Sequence, residues 1–213
     1  YQFCKEYEGY INSLSIIFTS KKSCTIFKKK QKIIENKFRY KINTNFIIKI
    51  KNKIDPLNNI LKDSKINFDC AIVAVPDNLH YSIIKKLLIN NINVLTVKPF
   101  VTQSENAYKL INLSNKKNLY CCVEFHKRYD ESNQYLLDEL NQDKIGDLLY
   151  CLVEYSQKKI IPQKIFGKWS YQTNIFNYLG VHYVDLISYV TKFEPIKVMA
   201  IGQKNYLKKN KIN

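Results

Sequence analysis

Lys98 stands in the run Asn93-Val94-Leu95-Thr96-Val97-Lys98-Pro99-Phe100, which follows Asp69-Cys70-Ala71-Ile72-Val73-Ala74-Val75-Pro76-Asp77-Asn78-Leu79-His80. The earlier run reads as strand, turn and helix entry. The later one reads as a strand ending in a lysine pinned by a proline. Together they predict a βαβ unit that delivers an ammonium group at the carboxyl end of a strand, where open α/β sheets bind their ligands. A strand-end lysine is by default a solvated one. Here Pro99 biases the residue before it toward extended backbone, and the βαβ unit supplies a crevice. Lys98 is thereby placed to hydrogen-bond a substrate oxygen and stabilise the charge that develops on it.

Tyr178, His182 and Asp185 stand at i, i+4 and i+7, one face of a predicted helix flanked by Leu179 and Leu186. A histidine in that setting reads equally as a core residue or as a neutral imidazole able to take a proton near neutral pH. Tyr178, one turn earlier, can share or replace that role. Glu124-Phe125-His126-Lys127-Arg128-Tyr129 ends another predicted strand with three consecutive basic residues. Lys127 and Arg128 suit an anionic or polyhydroxylated ligand, and they suit an interdomain salt bridge equally well. Thr19-Ser20-Lys21-Lys22 follows the first predicted strand. In dinucleotide folds an acidic residue at such a strand end selects a free ribose 2′-hydroxyl, and basic residues accommodate a 2′-phosphate. Hydroxyl and lysine groups without Asp or Glu therefore lean toward NADP.

The elements that must hold these residues alternate. Apolar runs at 13–19, 46–50, 70–75, 94–97 and 119–125 predict strands, with 70–75 buried on both faces. Helical spacing appears at 26–36, 79–89 and 103–117, and Asp55 and Pro56 open a short helix. Alternating strands and helices predict a doubly wound parallel sheet joined by right-handed crossovers. The pattern then changes. A helix is expected at 130–140, ended near Gly146. A long alternating strand is expected at 147–157, a loop at 161–173, a helix at 174–190 and a last strand at 196–202. The expected organisation is a Rossmann-like domain over 1–125 and an α+β domain with an open mixed or antiparallel sheet over 126–213.

The 213 residues carry a formal net charge of +16, which admits a nucleic-acid reading. Lys, Asn and Ile are spread through the chain without pattern, so Lys28-Lys29-Lys30 and Lys208-Lys209 read instead as solvated surface. No apolar stretch is long enough for a membrane span. The start, Tyr1-Gln2-Phe3-Cys4-Lys5, shows neither a signal peptide nor an initiator methionine, and a truncated reading frame is expected. The six cysteines (Cys4, Cys24, Cys70, Cys121, Cys122 and Cys151) form no Cys-x-x-Cys pair. They read as small core residues of a cytoplasmic protein, with no metal site. None of the five glycines forms G-x-G-x-x-G, so the first strand and phosphate turn of a Rossmann domain are missing.

Ala-Ile-Val-Ala-Val-Pro-Asp-Asn-Leu-His at 71–80 and Val-Leu-Thr-Val-Lys-Pro at 94–99 resemble the Gfo/Idh/MocA oxidoreductases. So do Lys-Ile-Gly-Asp-Leu-Leu-Tyr at 144–150 and Gly-Val-His-Tyr-Val-Asp at 180–185. The resemblance implies an NAD(P)-dependent dehydrogenase acting on a sugar, cyclitol or related polyol, with Lys98 and His182 catalytic. It implies that Pro76, Asn78 and His80 lie by the nicotinamide end of the cofactor, and that the C-terminal sheet mediates homo-oligomers. The family's usual Glu-Lys-Pro reads Val97-Lys98-Pro99 here. Tyr178 stands where many members carry an aspartate. Two other readings stay open: a non-catalytic truncated relative that binds a ligand or partner, and a basic nucleic-acid-binding protein.

Overall fold

Strands β1 (Leu14–Phe18) and β2 (Thr44–Ile48) pair in parallel, Leu14 opposite Thr44 and Phe18 opposite Ile48. Parallel neighbours need a crossover rather than a tight turn, and α1 (Lys21–Phe38) provides it. The computed structural model describes residues 13–41, 43–48, 56–62 and 67–202. Cys4, Asp55 and Lys208-Lys209 lie outside the described residues. The chain divides into two units, Tyr1–Asn67 and Phe68–Asn213.

In the first unit α1 starts at Ser20, whose hydroxyl accepts from the Ser23 N–H at 3.1 Å. That cap satisfies one of the orphan donors of the first turn. Buried Cys24 and Gln31 mark the inward face, and Gln31 Nε2 donates to the Thr44 hydroxyl at 3.0 Å. Phe18, Phe27 and Phe46 form the aromatic cluster, with ring centres 5.5–6.3 Å apart. The short helix α2 (Pro56–Lys62) opens on its proline, as expected.

In the second unit β3 (Cys70–Val73), β4 (Asn93–Val97) and β5 (Cys121–Glu124) form a parallel sheet in that order. The connections are α3 (His80–Ile89) and α4 (Ser104–Lys116). Ile84 and Leu88 of α3 are wholly buried, with Val73, Val94 and Leu110 beside them as core. The i, i+4 spacing of Ile84 and Leu88 puts both on one helical face. After β5 the chain makes a tight turn (His126–Tyr129), then α5 (Glu131–Asn141), and ends its described elements with α6 (Val181–Thr191).

Four expectations need correction. β3 is not buried on both faces: Cys70 is exposed and Ile72 is 69% exposed, with Leu95 and Cys122 exposed in the same row. β-branched composition permits double burial, but what packs on the face decides it. Of the described cysteines only Cys24 is buried. The strands expected at 147–157 and 196–202 carry no ladder among the described residues, and Leu149, Tyr150, Leu152, Ile196 and Val198 are exposed. Alternation marks a segment suited to a sheet, but a strand also needs a neighbour's backbone. The open mixed or antiparallel sheet expected in the C-terminal domain is accordingly not formed among the described residues. Finally, 161–173 is not loop: it holds a π turn (Ile161–Ile165) and a 3₁₀ turn (Gly167–Tyr171).

Candidate active site

Lys98 follows the last paired residue of β4, and its ammonium is not left in solvent. Nζ stands 4.1 Å from the centre of the Tyr178 ring and donates to the Tyr178 carbonyl oxygen. Asp77, after β3, and Glu124, at the end of β5, both attract it. Burial outweighs that attraction and holds the ammonium below the usual lysine value. A cavity of about 180 Å³ opens at this point, walled by Val75, Val97 and Pro99 on the strand side and by Trp169, Thr173 and Tyr178 opposite. Asp77 and Lys98 supply its charges.

Asp77 is 3% exposed, yet its carboxylate is fully engaged. Oδ1 accepts from Trp169 Nε1–H and from the Asn78 N–H, and Oδ2 accepts from the Thr173 hydroxyl, each at 2.9 Å. A buried carboxylate is tolerable only when paired in this way. Next to it Asn78 Nδ2 donates to Gln172 Oε1 at 3.0 Å. The turn Asp77–Leu79 begins with the Pro76 carbonyl accepting from the Leu79 N–H at 2.9 Å. Asp77, Trp169 and Thr173 have no part in the sequence-derived site. The signal available was the single tryptophan of the chain, in a segment rich in turn residues.

His182 does not line the cavity. It sits in the first turn of α6, 3% exposed, with the Phe125 and His126 rings 6.2 and 4.5 Å from its own. Its Nδ1 is buried and has no hydrogen-bond partner among the described residues. Burial first, then the nearby Lys98, His126 and Lys127, push the imidazole down to about 4, against a weaker pull from Glu124. It is therefore a neutral base at physiological pH. Tyr178 lies in a π turn (Phe176–Gly180) rather than in α6 itself. The wider turn breaks the i, i+4 phase expected between Tyr178 and His182, and Tyr178 packs against Phe166 and Trp169 with ring centres 4.6 and 6.2 Å away.

Arg128 and Asp185 meet each other. The guanidinium donates from Nε and Nη2 to the two carboxylate oxygens, at 2.8 and 2.5 Å. It also lies over the Phe125 and Tyr189 rings. The pair ties the turn after β5 to α6, so the salt-bridge reading of Arg128 is the one realised, between turn and helix, and neither charge is left free for a ligand. Lys127 keeps a looser contact, 3.5 Å to Asp130, with the Tyr183 ring 5.6 Å away. His80 is wholly buried, its ring nitrogens facing backbone carbonyls. It reaches a ligand only through the backbone it holds. Thr19, Ser20 and Lys21 belong to the first unit. There Ser20 caps α1 and the Lys21 carbonyl accepts from the Thr25 hydroxyl at 3.1 Å.

The cavity joins a half-buried lysine, apolar walls and aromatic faces, and beside it stands a neutral histidine with a spare buried nitrogen. That donor set suits a flat heteroaromatic ring together with a hydroxyl-bearing substrate. Among the described residues no group of three or more His, Cys, Asp or Glu could hold a metal ion. No helix among them is long and apolar enough to cross a membrane.

Residues 22–125 match the model of an oxidoreductase family with an NAD-binding Rossmann fold, Gfo/Idh/MocA. A UDP-N-acetylglucosamine 3-dehydrogenase of Acidithiobacillus ferrooxidans is 25% identical over 134 residues, covering 63% of this chain and 39% of that protein. The chain spans 36–39% of the length of the first curated relatives it matches. Among solved structures, the WlbA dehydrogenase of Bordetella pertussis with NADH and UDP-GlcNAcA has a TM-score of 0.57 at 17% identity, covering 84% of this chain and 47% of that one. The scyllo-inositol dehydrogenase of Lactobacillus casei with NAD(H) and scyllo-inositol has a TM-score of 0.57 at 15% identity, covering 84% and 56%. At such identity the likeness concerns the fold, an α/β arrangement on parallel strands.

Proposed function

We propose that this chain, whose residues 22–125 match the Gfo/Idh/MocA oxidoreductase family, serves hydride transfer between a nicotinamide cofactor and a carbinol carbon of a sugar, cyclitol or related polyol. The observation that carries the reading is Lys98 seated on Tyr178 at the wall of a cavity between two parallel strand ends. The names of the matched proteins, a nucleotide-sugar dehydrogenase and an inositol dehydrogenase among them, support the polyol class.

A nicotinamide bound there would supply or accept the hydride. The residues that would hold its ring are Pro76, Asn78 and the strand-end backbone at Val97-Lys98. Thr19, Ser20 and Lys21 carry no carboxylate, which favours a ribose 2′-phosphate, hence NADP over NAD. Lys98 hydrogen-bonds the substrate oxygen and stabilises negative charge on it. His182, neutral at physiological pH, or the Tyr178 hydroxyl takes the proton from that oxygen. Trp169 and the apolar wall exclude water. Lys127 is the basic residue left to touch a polyol; Arg128 and Asp185 act by fixing the turn against α6.

The exposed apolar residues at 149–153 and 196–201 favour association with further copies of the chain. The exposed free thiols of Cys70 and Cys122 favour a reducing, cytoplasmic setting.

Fluorescence titration with NADPH and NADH, followed by turnover on a panel of inositols and UDP-sugars, tests the reading. Lys98→Ala is expected to abolish turnover while the circular dichroism spectrum stays unchanged; an unaltered kcat would remove Lys98 from the mechanism. The competing outcome is a ligand-binding relative without turnover. Binding of a polyol with no affinity for either cofactor would select it.

A further inference from the structure

The last paired residues of β3 and β4 are Val73 and Val97. Just beyond them the carbonyls of Val75, Pro99 and Phe100 stand between two strand ends, where sheet pairing no longer supplies donors. Buried carbonyls need a partner. His80, at the start of α3, faces all three, and a neutral ring donates to them from one nitrogen only. Its Nδ1 is 2.8 Å from the Pro99 oxygen and 3.2 Å from the Phe100 oxygen, and its Nε2 is 2.9 Å from the Val75 oxygen. The ring is 0% exposed, so no water competes for these contacts. Two carbonyls face Nδ1 and one faces Nε2, so a singly protonated ring has its proton best placed on Nδ1.

We propose that His80 is a positioning residue for Lys98: its Nδ1–H, carried on α3, grips the Pro99 and Phe100 carbonyls and so fixes where the lysine leaves the sheet. The backbone it holds adjoins Lys98 directly, and the Lys98 side chain then has one short path to the Tyr178 ring 4.1 Å from Nζ. Without the grip, Lys98 swings out of the cavity toward solvent. The consequence for catalysis rests on the reading of Lys98 given above, but the grip itself does not.

The test therefore uses neither cofactor nor substrate. The pH profile of Lys98 acetylation by acetic anhydride is read by peptide mass spectrometry on the full chain, scored against exposed Lys109. The groups facing Lys98 are Asp77 beyond β3, Glu124 at the end of β5, His182 on α6 and the Tyr178 ring. None of them is altered. Asn in place of His80 puts an amide N–H near the Nδ1 position and keeps the contact to Pro99; Gln puts one near Nε2 and keeps only Val75. His80→Asn is expected to retain the wild-type Lys98 profile, and His80→Gln to move it toward that of Lys109. Equal profiles in both variants would overturn the proposal. Loss of the folded state in both would overturn it too, by making His80 a core-stability residue. A wild-type profile in His80→Asn together with an inactive holoenzyme would leave the grip standing and count against the catalytic reading instead.

Discussion

The Lys98 ammonium rests on the face of Tyr178, 4.1 Å from the ring centre, and donates to the carbonyl of the same residue. One residue thus holds the lysine twice, by its ring and by its backbone. Lys98 follows Val97 rather than a carboxylate, so the aromatic face supplies an orientation that a neighbouring acid would otherwise give. Tyr178→Phe keeps the ring and the backbone acceptor. It is expected to leave Lys98 acetylation unchanged and to lower kcat only if the hydroxyl moves the proton. Tyr178→Ala removes the cation–π contact, worth about 0.5–2 kcal/mol, and is expected to raise KM and lower kcat together. Steady-state kinetics of the two variants separates ring from hydroxyl.

Asp77 holds Trp169 and Thr173 over the cavity through its two carboxylate oxygens. Asp77→Ala strands three part-buried donors, the Trp169 indole N–H, the Thr173 hydroxyl and the Asn78 N–H, at a cost of up to about 1–3 kcal/mol for each one left unpaired. Trp169 is the single tryptophan, so its emission reports this contact without interference. The expected outcome is a red shift in Asp77→Ala and a smaller one in Asp77→Asn, which keeps one acceptor. Unshifted emission in both would show that the 3₁₀ turn stays in place without Asp77.

Arg128 and Asp185 form a two-pronged ion pair in which the Asp185 side chain is only 12% exposed. Removing one partner leaves the other charge poorly solvated. Arg128→Ala is expected to destabilise the fold by roughly 2–4 kcal/mol, and the double variant Arg128→Ala, Asp185→Ala by less than the sum of the singles. Urea denaturation of the four proteins closes the cycle. Additive losses would mean that the pair contributes no coupling.

His182 gives a pH dependence with a definite sign. Its imidazole is pushed from 6.5 to about 4 in the folded chain. Above 6.5 both folded and unfolded forms are neutral and the group contributes nothing. As pH falls below 6.5 the unfolded chain takes a proton that the folded chain refuses, so stability falls until the folded form also protonates near 4. The loss reaches at most roughly 3 kcal/mol. His182→Gln is expected to flatten this part of the stability curve, measured by urea melts at a series of pH values. A wild-type curve already flat across that range would contradict the burial of a neutral ring.

Much of this was legible in the chain. Val94 to Val97 is a β-branched and apolar run ending at Lys98-Pro99, and it forms β4 with the lysine at its carboxyl end. Cys70 to Val73 and Cys121 to Glu124 flank it in parallel, as alternating strands and helices require. Helical periodicity likewise located α3, α4 and α5 to within a residue or two. These features are local: side-chain branching, spacing and a proline act within a few residues, and their signal is complete in the sequence.

Other features depended on partners far along the chain. The sequence left Arg128 between a ligand contact and a salt bridge, and only the approach of α6 brought Asp185 to it. It placed His80 by the cofactor, where three backbone carbonyls claim the ring instead. It read 161–173 as loop, although Trp169 and Thr173 close on Asp77. It read 147–157 as a strand, because alternation records which faces differ but not whether a neighbouring backbone is there to pair with. The sequence by itself determined the parallel βαβ scaffold and the strand end from which Lys98 emerges. Tertiary structure alone decided what each polar group pairs with, because a hydrogen bond or ion pair is set by the position of two residues and spacing along the chain describes only one.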